Sequence, residues 1–159
     1  MIELSASRIG TLGLALGSAV CCASAFATPV ENLPGRWAGV GNVQMSNGAS
    51  EQMRCIVTYR VASGNVRQNL RCASQGYRID AIAKLTVANG RVSGDWEERT
   101  WSKTGSISGQ VIDGGFMLKI AGADFTAAMA VNLSDCRQSI SITPQGFDIS
   151  RISMTLGKC

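Results

Sequence analysis

The chain has 159 residues, 15 Lys and Arg against 11 Asp and Glu, six cysteines and no histidine. A formal charge of +4 is too small for a nucleic-acid binder, and without imidazole the usual general base and a common zinc ligand are missing. The length argues for one domain with its own core.

Residues 1–27 read as a cleavable secretory signal: one basic residue, Arg8, then an apolar run from Ile9 to Val20, then Ala25-Phe26-Ala27 as the cleavage site. The apolar run is too short to serve as a membrane span, which needs roughly 20 residues. No later stretch competes, so the product is expected in the periplasm or outside the cell. Cys21 and Cys22 lack a leucine-like residue three places upstream, which argues against lipid attachment. Residues 28–159 then form a single domain that keeps Cys55, Cys72, Cys136 and Cys159. Four cysteines in an exported chain imply two disulfides, with three possible pairings. There is no C-x-x-C pair, and no metal or cofactor is expected.

From Trp37 onward the residues alternate apolar and polar with period two, and turn residues recur about every ten positions. Ten strands are predicted, at 36–45, 51–61, 66–73, 77–88, 91–100, 105–112, 115–121, 124–133, 136–143 and 148–157. Ser46-Asn47-Gly48, Ser63-Gly64, Asn89-Gly90, Asp113-Gly114-Gly115 and Pro144-Gln145-Gly146 supply the turns between them. The predicted fold is all-β, an antiparallel up-and-down meander of eight to ten strands closed into a barrel, with a β-sandwich as the alternative.

If Ser63-Gly64 is a two-residue hairpin loop, Ala62 faces Asn65 and Cys55 falls opposite Cys72 on the inner face. Cys136 with Cys159 follows by elimination and ties down the C-terminus. The parities of these two differ, so a tail that curls back or a bulge is expected there.

Leu33-Pro34-Gly35-Arg36-Trp37 opens the first strand. Through Gly35, Trp37 and the strand pattern that follows, the chain resembles the calycin superfamily of lipocalins, avidins and small exported bacterial protease inhibitors. The resemblance implies a barrel with the tryptophan plugging one end, and binding rather than catalysis.

The inward parity collects small residues, Gly39, Gly41, Ala81, Ala83, Gly94, Gly109 and Ala127, which either open a ligand cavity or let strands bend and pack tightly. Under the first reading Trp37, Tyr59, Trp96, Phe116, Phe125 and Met129 line a site for a small apolar or amphiphilic ligand, with Glu98 as a polar contact at the barrel mouth. On the outward parity sit Arg54, Arg60, Arg67, Arg71 and Arg78. Arg60 faces Arg67 directly, an unfavourable pair that an anionic envelope component or lipid headgroup would relieve; the alternative is a plain solvated face.

Within VSGDWEERTWSKTGSISGQV, residues 92–111, three carboxylates crowd two tryptophans. Parity separates them: Asp95 and Glu97 point outward, Trp96 and Glu98 inward, and Trp101 outward at a turn. Asp95 and Glu97 share the outward face, where they offset Arg91 and Arg99 rather than flank a sugar, and the cysteines are expected to be oxidised. The expectation is a non-enzymatic binding protein that takes a small apolar or amphiphilic ligand into the barrel; the alternative is a surface interaction module, protease-inhibitor-like or envelope-binding through the arginine face.

Overall fold

In the computed structural model, which describes residues 29–159, a short 3-10 helix, Pro29–Asn32, precedes ten strands. They are β1 Gly35–Met45, β2 Ser50–Ala62, β3 Asn65–Ala73, β4 Arg78–Ala88, β5 Arg91–Glu98, β6 Lys103–Ile112, β7 Gly115–Gly122, β8 Thr126–Leu133, β9 Arg137–Gln145 and β10 Ile149–Gly157. Each pairs antiparallel with the next and β10 returns to β1, so the barrel closes and the sandwich alternative is excluded. The expected signal segment lies outside the described residues. Among those residues, no helix is long and apolar enough to cross a membrane.

Where strands end differently from the alternation, local hydrogen bonding explains it. β5 stops at Glu98 because that carboxylate takes the Thr100 and Trp101 N–H groups out of the ladder, at 3.1 and 2.6 Å. β8 starts at Thr126 because Gly122 N–H donates to the Phe125 carbonyl at 2.9 Å, which folds Phe125 into a loop.

The β2–β3 register is the one that the turn dictates: Ala62 faces Asn65, Arg60 faces Arg67 and Cys55 faces Cys72. Ser63 and Gly64 both have positive φ, 48° and 78°, the backbone that a two-residue loop needs to match the strand twist. The Cys55–Cys72 disulfide spans a Cα–Cα distance of 4.1 Å. Cys136 and Cys159 are also joined, and both lie just outside β9 and β10. The tail continues alongside its neighbour, with Lys158 N–H on the Cys136 carbonyl at 3.2 Å, so strand parity does not constrain this bridge. The one register shift in the β1–β10 pair falls instead at Gln44/Met45.

The two V/I-S-G copies pair reciprocally: Val92 faces Gly109 and Gly94 faces Ile107. A large inward residue therefore meets a small one across β5 and β6, not a copy of itself.

The connections alternate between the two ends of the barrel. One end has the tight turns 63–64, 89–90 and 113–114, and each glycine carbonyl accepts an N–H of the following hairpin: Gly64 from Val87, Gly90 from Val111 and Gly114 from Leu133, all at 2.7–2.8 Å. The 3-10 helix caps this end. Trp37 is fully buried; its indole N–H donates to the Leu33 carbonyl at 2.8 Å. The ammonium of Lys158 sits 4.7 Å from the ring centroid and donates to the Asn32 carbonyl at 2.7 Å. The N-terminal segment, the tryptophan and the C-terminal tail thus close one end together.

Candidate functional site

The interior at the opposite end holds a cavity of about 510 Å³. Its walls come from the inward positions of nine strands, and small side chains at Ala81, Ala83 and Ala127 leave the space that larger ones would fill. Ile79, Ile107, Ile120, Ile142 and Ile152 supply much of the remaining wall. Ala81, Ala83 and Ala127 belong to the small inward set expected from alternation.

Four loops at this end each bring one aromatic residue to the cavity: Tyr77, Trp101, Phe125 and Phe147. They recur in the sequence at intervals of 24, 24 and 22 residues, which is one hairpin repeat of an up-and-down meander, so alternate loops place them at the same end. The Phe125 ring meets Trp96 edge-on at 5.6 Å and Phe147 at 4.5 Å between centroids. Trp101 and Phe147 remain 60% and 43% exposed. Trp101 was expected to point outward at a turn; because it lies in a loop, strand parity does not govern it, and it lines the mouth.

Trp96 owes its position to a glycine. It lies opposite Gly105, and its indole N–H reaches past that residue to the Ala121 carbonyl at 3.3 Å. A Cβ at Gly105 would come within 2.8 Å of the indole nitrogen and 1.8 Å of the Ala121 oxygen. Only glycine lets the ring lie flat on the wall there.

Of the seven residues expected to form a ligand site, Trp96, Glu98, Phe125 and Met129 border the cavity. Trp37, Tyr59 and Phe116 do not; they are buried in the closed half. Parity gives a side chain's direction but not its level along the barrel axis, and these three sit too low.

Glu98 is at the rim, but its carboxylate is occupied: besides the Thr100 and Trp101 bonds it accepts Asp80 N–H at 2.8 Å. Three of its roughly four acceptor positions are used on backbone, and the result is to hold the Trp101 loop against β4. Lys103 and Asp148 are the other charged groups bordering the cavity, and the Lys103 ammonium is paired with Asp124 at 3.2 Å. Lower down, Gln68 is the one polar side chain on the wall, and its amide makes no hydrogen bond among the described residues. It escaped the sequence reading because a single polar residue on the inward parity of β3 looks like a break in the pattern.

Beneath the cavity, Tyr59 and Gln138 make a buried polar contact between β2 and β9, with the amide Nε2 donating to the phenol oxygen at 2.9 Å. Burial pushes the Tyr59 phenol well above its ordinary value, offset in part by that hydrogen bond. Gln138 is fully buried and its Oε1 has no partner among the described residues.

The five arginines lie on the outer face but fall into three separate groups. Arg54 and Arg78 flank Ala73. Arg71 and Arg99 share Asp80, at 3.7 and 2.9 Å, and the Arg99 hydrogen bond holds the Asp80 carboxyl below its ordinary value against a small desolvation penalty. Arg60 and Arg67 extend into a third cation, Lys84, which faces Arg67 from β4.

A closed ten-stranded antiparallel barrel, plugged at one end and hollow at the other, is the class of protein that these features define. The chain matches no protein-family profile and no curated protein. Among solved structures it is similar to Rv2717c from M. tuberculosis, with a TM-score of 0.67 and 13% identity over 84% of this chain and 98% of that one. It is also similar to a protein of unknown function from the DUF3598 family of Nostoc punctiforme, with a TM-score of 0.62 and 14% identity over 82% of this chain and 48% of that one. The likeness is of fold. It supports the barrel that the Gly35-Trp37 resemblance implied; neither comparison names the calycin superfamily.

Proposed function

We propose that this chain is an exported, non-enzymatic binding protein that takes a small apolar or amphiphilic ligand into the barrel through the aromatic-ringed end. The observation that carries this reading is the cavity itself: about 510 Å³ falls within the roughly 300–1,000 Å³ of small-molecule sites. Its apolar wall favours a hydrocarbon or aromatic body, at about 0.8 kcal/mol for each buried methylene. Charged groups occur only at the rim, so an amphiphile would keep its head there, while Gln68 offers one hydrogen-bonding partner to a polar atom lower in the ligand. Met129 and Met154 add side chains that adapt to irregular shapes. Export belongs to the same reading: two disulfides suit an oxidising compartment, and cleavage after Ala27 would leave Thr28 as the mature N-terminus.

The test is binding of a polarity-sensitive apolar dye, 1-N-phenylnaphthylamine, to the purified protein and to Ala81→Phe, which fills the cavity from its wall. The wild type is expected to enhance the dye's fluorescence, and Ala81→Phe to lose that signal while its thermal unfolding stays cooperative. Equal enhancement by both proteins would place the dye elsewhere and overturn an interior site. Native mass spectrometry of the freshly purified protein would then identify a ligand carried through purification.

A further inference from the structure

We propose that the outer face of β2, β3 and β4 carries a second site, separate from the barrel interior, which binds phosphoryl groups through Arg60, Arg67 and Lys84. Three cations stand in one cross-strand row, Arg60 opposite Arg67 and Arg67 opposite Lys84. With strands about 4.8 Å apart, the row places its cations within about 10 Å of one another. Like charges directly opposite each other on a sheet repel, and among the described residues none of the three cations is in an ion pair. The three ion pairs there use Arg71, Arg99 and Lys103 instead. Asp95 lies opposite Lys84 on β5 but does not come within ion-pair distance of it.

The row also borders a shallow surface cavity of about 360 Å³ that Asn65 and Thr86 complete. Its frame is rigid. The Ser63-Gly64 turn fixes the hairpin, Val87 N–H binds the Gly64 carbonyl at 2.7 Å, and the Thr86 hydroxyl donates to Asn65 Oδ1 at 3.4 Å. Guanidinium groups bind phosphoryl oxygens in bidentate fashion and the lysine adds a point charge. Such a triad suits clustered phosphoryl oxygens, as in a diphosphate or in neighbouring phosphate headgroups of a membrane.

The experiment titrates the purified, oxidised protein with inorganic pyrophosphate by calorimetry, and separately with phosphatidic acid vesicles against phosphatidylcholine vesicles. It includes Arg60→Gln/Arg67→Gln and, as a control of equal charge change, Arg54→Gln/Arg78→Gln. The row variant is expected to bind roughly tenfold more weakly or worse, the loss that one charge-assisted hydrogen-bond pair implies, and the control to bind as wild type. All of these residues are exposed, so unchanged thermal unfolding should accompany the loss. Pyrophosphate binding with that loss supports the site for a soluble ligand; vesicle binding with the same loss, and no pyrophosphate binding, supports it for a lipid headgroup. No binding to either probe, or equal weakening by the two variants, overturns it.

Discussion

The two ends of this barrel are made from the same strands and do opposite things. At the closed end three of the four hairpin loops are two residues long, the glycine carbonyls of those three accept an N–H of the following hairpin, and Trp37, Lys158 and the 3-10 helix seal the interior. At the mouth the loops are longer, each of four carries an aromatic residue, and small side chains on the wall leave a cavity. The difference teaches that closure here comes from residues at the two ends of the described chain folding over one opening, whereas among the described residues the other opening has no such cover and is ringed by partly exposed side chains.

This contrast can be broken most severely at Trp37. Trp37→Ala is expected to cost about 3–5 kcal/mol, the range for deleting a large buried ring, whereas Trp101→Ala at the mouth should stay within about 0.5 kcal/mol. Urea denaturation of both variants checks the pair. Comparable losses would mean that the mouth is as tightly built as the plug.

A smaller effect sharpens the boundary between the two halves. Tyr59→Phe removes the one hydrogen-bond partner that the buried Gln138 amide has among the described residues and is expected to cost about 1–3 kcal/mol. Adding Gln138→Leu should recover most of that loss, because an apolar pair leaves nothing unsatisfied. The same denaturation experiment reads both, and no recovery in the double variant would argue that the contact is not a simple polar bridge.

The smallest expected effect belongs to the mouth and is a pH dependence. The Glu51 carboxyl is held below its ordinary value by hydrogen bonds from Ser74 and the Gly76 N–H, and Asp80 by Arg99. Groups with a depressed folded pKa stabilise the fold above their unfolded pKa, and that contribution is lost as pH falls through the folded value. The window therefore opens below the ordinary values of 4.5 and 3.8, and the 74–77 and 99–102 loops should loosen there before the closed end does. Amide chemical shifts of Gly76 and Arg99 followed during acidification would show it. Simultaneous changes at Val87 and Val111, which are bonded to the tight turns, would erase the distinction between the ends.

Much of the closed end was legible in the sequence. Ser63-Gly64 and Asn89-Gly90 announce their loop length through residues that accept positive φ, and the first of them places Cys55 opposite Cys72 before any coordinates are known. Alternation likewise separates Asp95 from Trp96. The aromatic spacing of the mouth is also readable, provided that alternate loops are assigned to one end. What alternation lacks is height along the axis, and for that reason Trp37, Tyr59 and Phe116 were grouped with Trp96 and Phe125. It is also silent about loop residues, which hid Trp101 and Phe147.

By itself, the chain's order of residues determined the strands, their antiparallel sequence, the first disulfide and the two faces, because turn backbones and a period of two are local properties. Closure of the barrel decided the rest. It set which inward side chains share a level around the cavity, while the pairing of neighbouring strands brought Glu98 to the Asp80 N–H and Lys84 beside Arg67. The shared levels depend on register summed around a closed sheet, and no short window of sequence contains them.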